Sequence, residues 1–572
     1  MKMPYLNFKS EYNRTPIIQI KKNDSNVYQG KEEIIHQLKN IKSGTIVFET
    51  YPGIDLNILK RDLIDPLNPN HIIWIEDFSK SELEINQMLD KNITDDRVFG
   101  LISHHNIEDL YHMEKIKTLN QKIKENQGLT IVYGFGASLV ESNILIHVSL
   151  TRWEIQLRYR AGASNFKMKN PDEDILRKYK RGFFVEWRIA DRIKNNIIDR
   201  LDYIIDYNLL DQPMMITKNL YIESIDSITK RPFRMVPYFD PGVWGGQWMK
   251  EVCNLDPTQP NYAWSFDGVP EENSIKLGFK DKIVEIPAND VVQLRPKELM
   301  GDRVHGRFGK HFPIRFDLLD TMGGGNLSLQ VHPLTEYIYE KFGMPFTQDE
   351  SYYILDAEKD GTVYLGFKEN LDKENFIKDL KKSEQGDFDF PAEKYVNIFP
   401  AKKHDHFLIP AGTIHCSGKN TIVLEISATS YIFTFKLWDW GRLGLDGRPR
   451  PVHLEHGFKA LQYDRTKGYV ERELINHIKR VDEHEEITGL HPREFLETRR
   501  FKFKDSIDIE TRGSVNMANL VDGKKAIIES VDGSFEPYEV HYAETFIIPS
   551  TIEKFRMRCL DESCMIIKAH VR

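Results

Sequence analysis

The run Asn326-Leu-Ser-Leu-Gln-Val-His-Pro333 alternates apolar and polar residues. In an extended strand this puts Leu327, Leu329 and Val331 on one face and Ser328, Gln330 and His332 on the other. Gln330 and His332 therefore sit side by side. Further on, Glu350 precedes the strand-like run Tyr352-Tyr-Ile-Leu-Asp356, and Phe407-Leu-Ile-Pro-Ala-Gly-Thr-Ile-His415 carries a second histidine after a Pro-Ala-Gly turn. Two neutral imidazoles, one carboxylate and one amide oxygen make a mixed nitrogen and oxygen donor set. Such a set suits a divalent, zinc-like ion and leaves room for an exchangeable ligand. A lone histidine in a strand is ordinarily a hydrogen-bonded structural residue; the phrases around these four residues set them apart.

At 572 residues the chain is too long for one core and implies about three domains. Lys and Arg number 78 against 86 Asp and Glu, and no block of like charge is long enough to suggest a nucleic-acid partner. The amino terminus lacks an apolar signal core, and no apolar run is long enough to span a membrane. These features lead to the expectation of a soluble, cytoplasmic protein without a membrane partner. Cys253, Cys416, Cys559 and Cys564 form neither a disulfide framework nor a paired zinc motif, and are expected to be reduced thiols.

Taken in order, residues 1–210 contain short apolar runs of the buried-strand type at 44–50, 71–77, about 97–103, 128–134 and 142–148, separated by helical stretches such as 81–89 and 106–126. Strands alternating with helices predict a parallel-sheet α/β domain. Within it, Gly134-Phe-Gly-Ala-Ser138 follows a strand, where backbone N–H groups can receive a nucleotide or phosphate. The lysine of a full phosphate loop is missing, so a degenerate, kinase-like loop and a plain strand-to-helix turn both remain open. From Val243 the pattern changes to short strands with Gly and Pro turns, the signature of an antiparallel sandwich or barrel. This second domain is expected over 230–465. Strands resume in 490–572, where His541 and Glu544 are read as structural.

The phrases Gln330-Val-His-Pro333, Glu350 with Tyr352-Tyr-Ile-Leu-Asp-Ala357, Ile409-Pro-Ala-Gly-Thr-Ile-His415, Thr434-Phe-Lys-Leu-Trp-Asp-Trp-Gly-Arg442 and Pro449-Arg-Pro-Val-His-Leu-Glu455, preceded by Val243-Trp-Gly-Gly246 and by Trp264 with Ser274, occur in one order. In that order they resemble the cupin-type class I mannose-6-phosphate isomerases over roughly 230–465. The resemblance implies a jelly-roll metal domain, a second cupin-like β domain at the carboxyl end and, ahead of both, an α/β leader that the standard isomerases lack. It implies one Zn2+ held by Gln330, His332, Glu350 and His415, and a small-molecule sugar phosphate, mannose 6-phosphate or fructose 6-phosphate, as substrate.

The chain departs from the family's pattern in its cations. Asp317 and Gln348 stand where family members carry lysines, and Lys436 stands where they carry an arginine. Lys436 keeps a positive charge for a developing oxyanion but loses the guanidinium fork. Arg442, Arg315 and Lys419 are candidate compensators, with Arg442 and Asp439 and His453 either lining the pocket or supporting the fold. Asp317 reads either as a general base or as an acid paired with Arg315. Two further readings stay beside the isomerase: a metal-bearing sugar-phosphate sensor, or an isomerase of a different sugar phosphate, and a bifunctional chain whose leader transfers phosphoryl groups.

Overall fold

Thr45-Ile-Val-Phe-Glu-Thr50 is buried along its length because it is the middle of a sheet covered on both faces. The protein is described here by a computed structural model covering residues 5–21, 24–386, 388–428, 431, 433–489, 491 and 493–572. Its contacts divide the chain into two units. One comprises Ile17–Ser227 with Ser274–Leu294; the other comprises residues 5–16, Ile228–Asn273 and Arg295–Arg572.

The first unit holds a seven-stranded sheet. Its strands are β1 (Val27–Gln29), β2 (Gly44–Thr50), β3 (His71–Trp74), β4 (Leu129–Gly134), β5 (Ile144–Ser149), β6 (Tyr203–Asp206) and β7 (Met214–Thr217), in the spatial order β1-β7-β6-β5-β2-β4-β3. The five strands from β2 to β6 run parallel, and β7 and β1 add an antiparallel edge. Helices form where the 3.6-residue spacing supplies an apolar stripe. Glu82–Ile93 buries Ile85 and Leu89 and is started by a capping box between Ser81 and Glu84. A hairpin, Ser274–Phe279 and Lys282–Pro287, joins this unit from the middle of the other by pairing with Ile17–Gln19.

Three local expectations are corrected. Residues 97–103 form no strand: the Leu101 N–H donates to the Asn92 carbonyl and the Ser103 N–H to the Phe184 carbonyl, so neighbouring chain satisfies a segment that pairs with no ladder. No strand is expected after 142–148 in the leader, yet Tyr203–Asp206 forms β6 between β5 and β7. Cys559 and Cys564 are disulfide-bonded, because the short connection between two consecutive strands brings their Cα atoms to 5.6 Å; Cys253 and Cys416 are free and buried.

The second unit contains two β-sandwiches of open sheets. In the first, one sheet has the order β15-β12-β17-β10-β9-β8, built from β8 (Tyr238–Asp240), β9 (Trp264–Gly268), β10 (Arg315–Asp320), β12 (Glu350–Ala357), β15 (His406–Ile409) and β17 (Thr421–Ser427). The facing sheet has the order β14-β13-β16-β11-β18, built from β11 (Leu329–Val331), β13 (Thr362–Phe367), β14 (Val396–Pro400), β16 (His415–Ser417) and β18 (Phe435–Trp438). The second sandwich, of six and four strands from Lys479 to Val571, closes on a core that includes Ile528, Phe546, Met557 and Ile566. Among the described residues no helix is long and apolar enough to cross a membrane.

The glycine turn after β4 is held by a carboxylate from the central strand. Glu49 accepts hydrogen bonds from the Gly136 N–H at 2.8 Å and the Ser138 N–H at 2.7 Å. Burial lifts the Glu49 carboxyl to about 7, against those two donors, which favour its ionised form. The folded value stands above the unfolded one, so the folded chain holds an extra proton between them, and this contribution to stability falls as pH rises through that window. Glu49→Gln fixes the neutral form and is expected to remove that part of the decline. In urea unfolding at about pH 5 and about pH 7.5, the difference in unfolding free energy should move in the variant's favour at the higher pH. A difference that stays constant would mean that Glu49 titrates alike in both states.

Candidate metal centre

β11 lies between β16 and β18, and the register sets Gln330 opposite His415 on one side and Lys436 on the other. Directly opposed residues on antiparallel strands share a face. The inward face of this sheet therefore carries the Gln330 amide between His415 and Lys436, with His332 one residue beyond the strand. Glu350 begins β12 in the facing sheet. The three groups meet between the sheets: His332 Nε2 lies 3.0 Å from Glu350 Oε2, and His415 Nε2 lies 2.8 Å from Glu350 Oε1. The Gln330 amide is 3.3 Å from His415 Nε2, and all four side chains are buried.

Hydrogen bonds on the far side of each ring decide which nitrogen carries the proton. His332 Nδ1 is 2.9 Å from the Phe433 carbonyl and His415 Nδ1 is 2.8 Å from the Thr413 carbonyl. A carbonyl only accepts, so each Nδ1 donates, and each neutral imidazole turns its Nε2 lone pair toward Glu350. In that neutral form lone pairs face a carboxylate; burial lowers the His332 imidazole, but the Glu350 charge outweighs it and raises the ring above its ordinary value, so in the absence of a cation a proton on Nε2 would pair with Glu350. His332 Nε2 and Glu350 Oε1 are indeed buried without a hydrogen-bond partner among the described residues. Acceptors buried in this way cost several kcal/mol unless a cation lies among them. His332, Glu350 and His415 have the spacing to hold a metal ion, and two nitrogens with one carboxylate oxygen are zinc-type donors. Turning the Gln330 amide over, an exchange of its O and N, presents a fourth donor.

Two residues to which sequence reasoning gave no role complete the surroundings. Gln348 Nε2 donates to Glu350 Oε2 at 3.1 Å and to Glu425 Oε1 at 3.3 Å, while its own oxygen accepts the Phe433 N–H at 2.8 Å. Glu425 is the one acid in the otherwise apolar run Thr421-Ile-Val-Leu-Glu-Ile-Ser427 of a central strand, and that isolation is the signal that could have singled it out. Across β10, β17 and β12 the register aligns Arg315, Ser427 and Glu350 in one row and Asp317, Glu425 and Tyr352 in the next. Burial, then the charges of Glu350 and Asp317, push the Glu425 carboxyl well above its ordinary range.

The remaining candidates divide. Lys436 lies in register beside Gln330. Asp317 is on the inward face with the acids and is bonded to Arg315 Nε at 2.5 Å; burial lifts it to about 7 against the pull of that guanidinium. Arg442 is held by Asp439, whose carboxylate also takes Arg450. A Cβ added at Gly325 would meet the Arg442 Nη1 at 3.3 Å. The structure thus brings Lys436 and Asp317 to the inner faces of the two sheets and leaves Arg442 in the Asp439 ion-pair cluster.

Comparison with known proteins gives two separate findings. A family described as a domain of unknown function (DUF8485) matches residues 30–230. The mannose-6-phosphate isomerase of Bacillus subtilis (strain 168) is 26% identical over 257 residues, 44% of this chain and 73% of the relative. That of Streptococcus mutans is 23% identical over 335 residues, 57% of this chain and 94% of the relative. Similar solved structures include the mannose 6-phosphate isomerase from Bacillus subtilis, with a TM-score of 0.49 and 18% identity over 59% of this chain and 99% of that one. Over about half of its length the chain is similar to the mannose-6-phosphate isomerases, in a longer form that carries the domain of unknown function in addition.

Proposed function

We propose that the chain is a zinc-dependent aldose–ketose isomerase that interconverts mannose 6-phosphate and fructose 6-phosphate. The observation that carries this reading is the convergence of two imidazole Nε2 atoms and a carboxylate on one buried point, with His332 Nε2 and Glu350 Oε1 left without a hydrogen-bond partner among the described residues. Its relatives' names give the reaction. Gln330, His332, Glu350 and His415 would hold the ion, and a bound zinc supplies a Lewis acid for the sugar oxygens.

The rest is work for the chain's own side chains. Moving a proton between C1 and C2 passes through an enediol, so the site needs a group to carry the proton and a cation beside the developing oxyanion. Lys436, beside Gln330, is the cation. Asp317 and Glu425 are the proton carriers, since burial keeps both carboxyls protonated at higher pH than exposed acids. Arg315, bonded to Asp317, holds that acid in place. A second reading, an isomerase of another sugar phosphate or a sensor without turnover, is favoured by one observation: a neutral amide, Gln348, bridges Glu350 and Glu425 where a cation would neutralise them.

The direct test is conversion of mannose 6-phosphate to fructose 6-phosphate by the purified chain in a coupled assay, with metal content measured on the same sample. Turnover is expected to vanish on chelation and return with zinc; bound metal without turnover would move the conclusion to the second reading. His332→Ala and His415→Ala are each expected to lose the ion, which occupies about one site per chain, and retention of metal by both would refute the ligand assignment. Lys436→Ala is expected to lower kcat by about 10²–10³, while Lys436→Arg keeps most of it. Gln348→Lys would set an ammonium between Glu350 and Glu425. A nearby cation favours the ionised carboxylate, so the limb of the kcat–pH profile that belongs to Glu425 should move to lower pH. An unmoved profile would remove Glu425 from the proton-carrying role.

A further inference from the structure

The order of the α/β sheet reverses at β2. From there the chain passes to β3 on one side, returns to β4 beside β2, and then crosses to β5 on the other side. Open α/β sheets bind ligands in the crevice outside the carboxyl ends of their strands at such a reversal. A cavity of about 840 Å³ lies there, lined by Thr50–Ile58 after β2, Trp74 and Glu76 after β3, Phe135 after β4, and residues 161–169. Its size falls within the roughly 300–1,000 Å³ typical of small-molecule sites.

The chemistry of the lining narrows the occupant. Both sets of backbone donors that could cradle a phosphate at this end are already filled by the chain's own carboxylates. Asp55 caps the helix after β2 by accepting from the Asn57 and Ile58 N–H groups at 2.9 and 3.0 Å, and Glu49 holds the turn at Gly136 and Ser138. Arg158 is also spent, on Glu154 and on the carbonyls of Gly53 and Tyr207. Two lysines of one segment remain. Lys167 Nζ stands 5.6 Å over the Trp74 ring and 3.2 Å from the Glu76 carbonyl. Lys169 is exposed, with no ion pair among the described residues.

Apolar surface accompanies these cations. Trp74 keeps 38% of its surface exposed although it lines a cavity, and Phe135 and Phe166 pack edge to face with ring centres 5.1 Å apart. Flat rings recognise flat rings. Glu76 is buried at the base of this wall, where burial lifts its carboxyl to about 7 against the pull of Lys167. It can therefore accept from, or donate to, a polar ring edge.

We propose that this crevice binds a small phosphorylated molecule bearing a flat aromatic ring, of the nucleoside monophosphate class. The ring lies against Trp74 and Phe166 with its polar edge on Glu76, and the phosphate lies on Lys167 and Lys169. Asp55 and Glu49 take the N–H groups of the two turns, and the lysine side chains hold the anion. The inference concerns the α/β unit by itself and stands whether or not the metal centre turns over.

The test is calorimetric titration of the full chain with AMP, with adenosine and inorganic phosphate as partial probes. AMP is expected to bind more tightly than either part. Lys167→Ala combined with Lys169→Ala should weaken AMP at least tenfold, and Trp74→Ala should weaken AMP and adenosine but not phosphate, with thermal melting confirming that each variant is folded. Because alanine at Trp74 opens the wall, Trp74→Phe serves as a second variant and should retain most of the affinity. No heat with AMP at millimolar concentration would overturn the proposal. So would AMP binding that the double lysine variant leaves unchanged, or phosphate binding as tight as that of AMP, which would reduce the crevice to an adventitious ion site only.

Discussion

Three acceptors aimed at one buried point are the constraint on which the second unit's first sandwich depends. His332 and His415 cannot turn their protonated nitrogens inward without abandoning the Phe433 and Thr413 carbonyls, and Glu350 Oε2 accepts from the Gln348 amide. Two strands of one sheet and one of the other bring these groups together, and a cation among them would offset the cost of burying them.

The surroundings of that point are acidic. An ammonium at position 348 would have neutralised Glu350 and Glu425 together. The amide that stands there connects them by hydrogen bonds and leaves their repulsion, and burial together with that repulsion pushes the Glu425 carboxyl well above its ordinary range. Arg315 reaches the same inner face from β10, and Asp317, two residues on, offsets it. The result is a set of neutral or internally paired groups around His332, Glu350 and His415, with Lys436 in register with Gln330. Proton storage in carboxyls and charge stabilisation by one lysine are consistent with isomerisation. The same arrangement gives a dianionic phosphate less to hold than a site with three cations would, which is why turnover, and not metal content alone, separates the two readings.

Strand periodicity is local, so the part of the site that lies within single strands was readable. The alternation from Asn326 to Pro333 puts Gln330 and His332 on one face whatever the tertiary fold, and His415 follows a turn whose residues announce it. Contacts between sheets leave no local trace. Nothing in Thr421–Ser427 says that Glu425 will stand beside Asp317 and Gln348, and nothing in Ser274–Pro287 says that this hairpin will leave its neighbours and pair with Ile17–Gln19. Residues 97–103 failed differently: a short apolar run is buried equally well as a strand or as an extended segment bonded to neighbouring chain, and periodicity cannot separate the two. The Cys559–Cys564 pair is close only because two consecutive strands are joined by a short connection, a distance that composition does not carry.

The α/β unit repeats at the level of the backbone what the metal centre does with side chains. A strand-to-helix turn at the carboxyl end of a parallel sheet exposes N–H groups that seek an anion, and in this chain Asp55 and Glu49 supply it from within. A carboxyl built into the turn is always present, at no cost in association entropy, and competes there with any anion that must come from solution. In the glycine turn at Gly134–Ser138, which lacks the lysine of a phosphate loop, the Gly136 and Ser138 N–H groups are taken by Glu49. What chemistry the unit retains has to lie in groups that the carboxylates leave untouched, and those are the rings and lysines of the crevice above it.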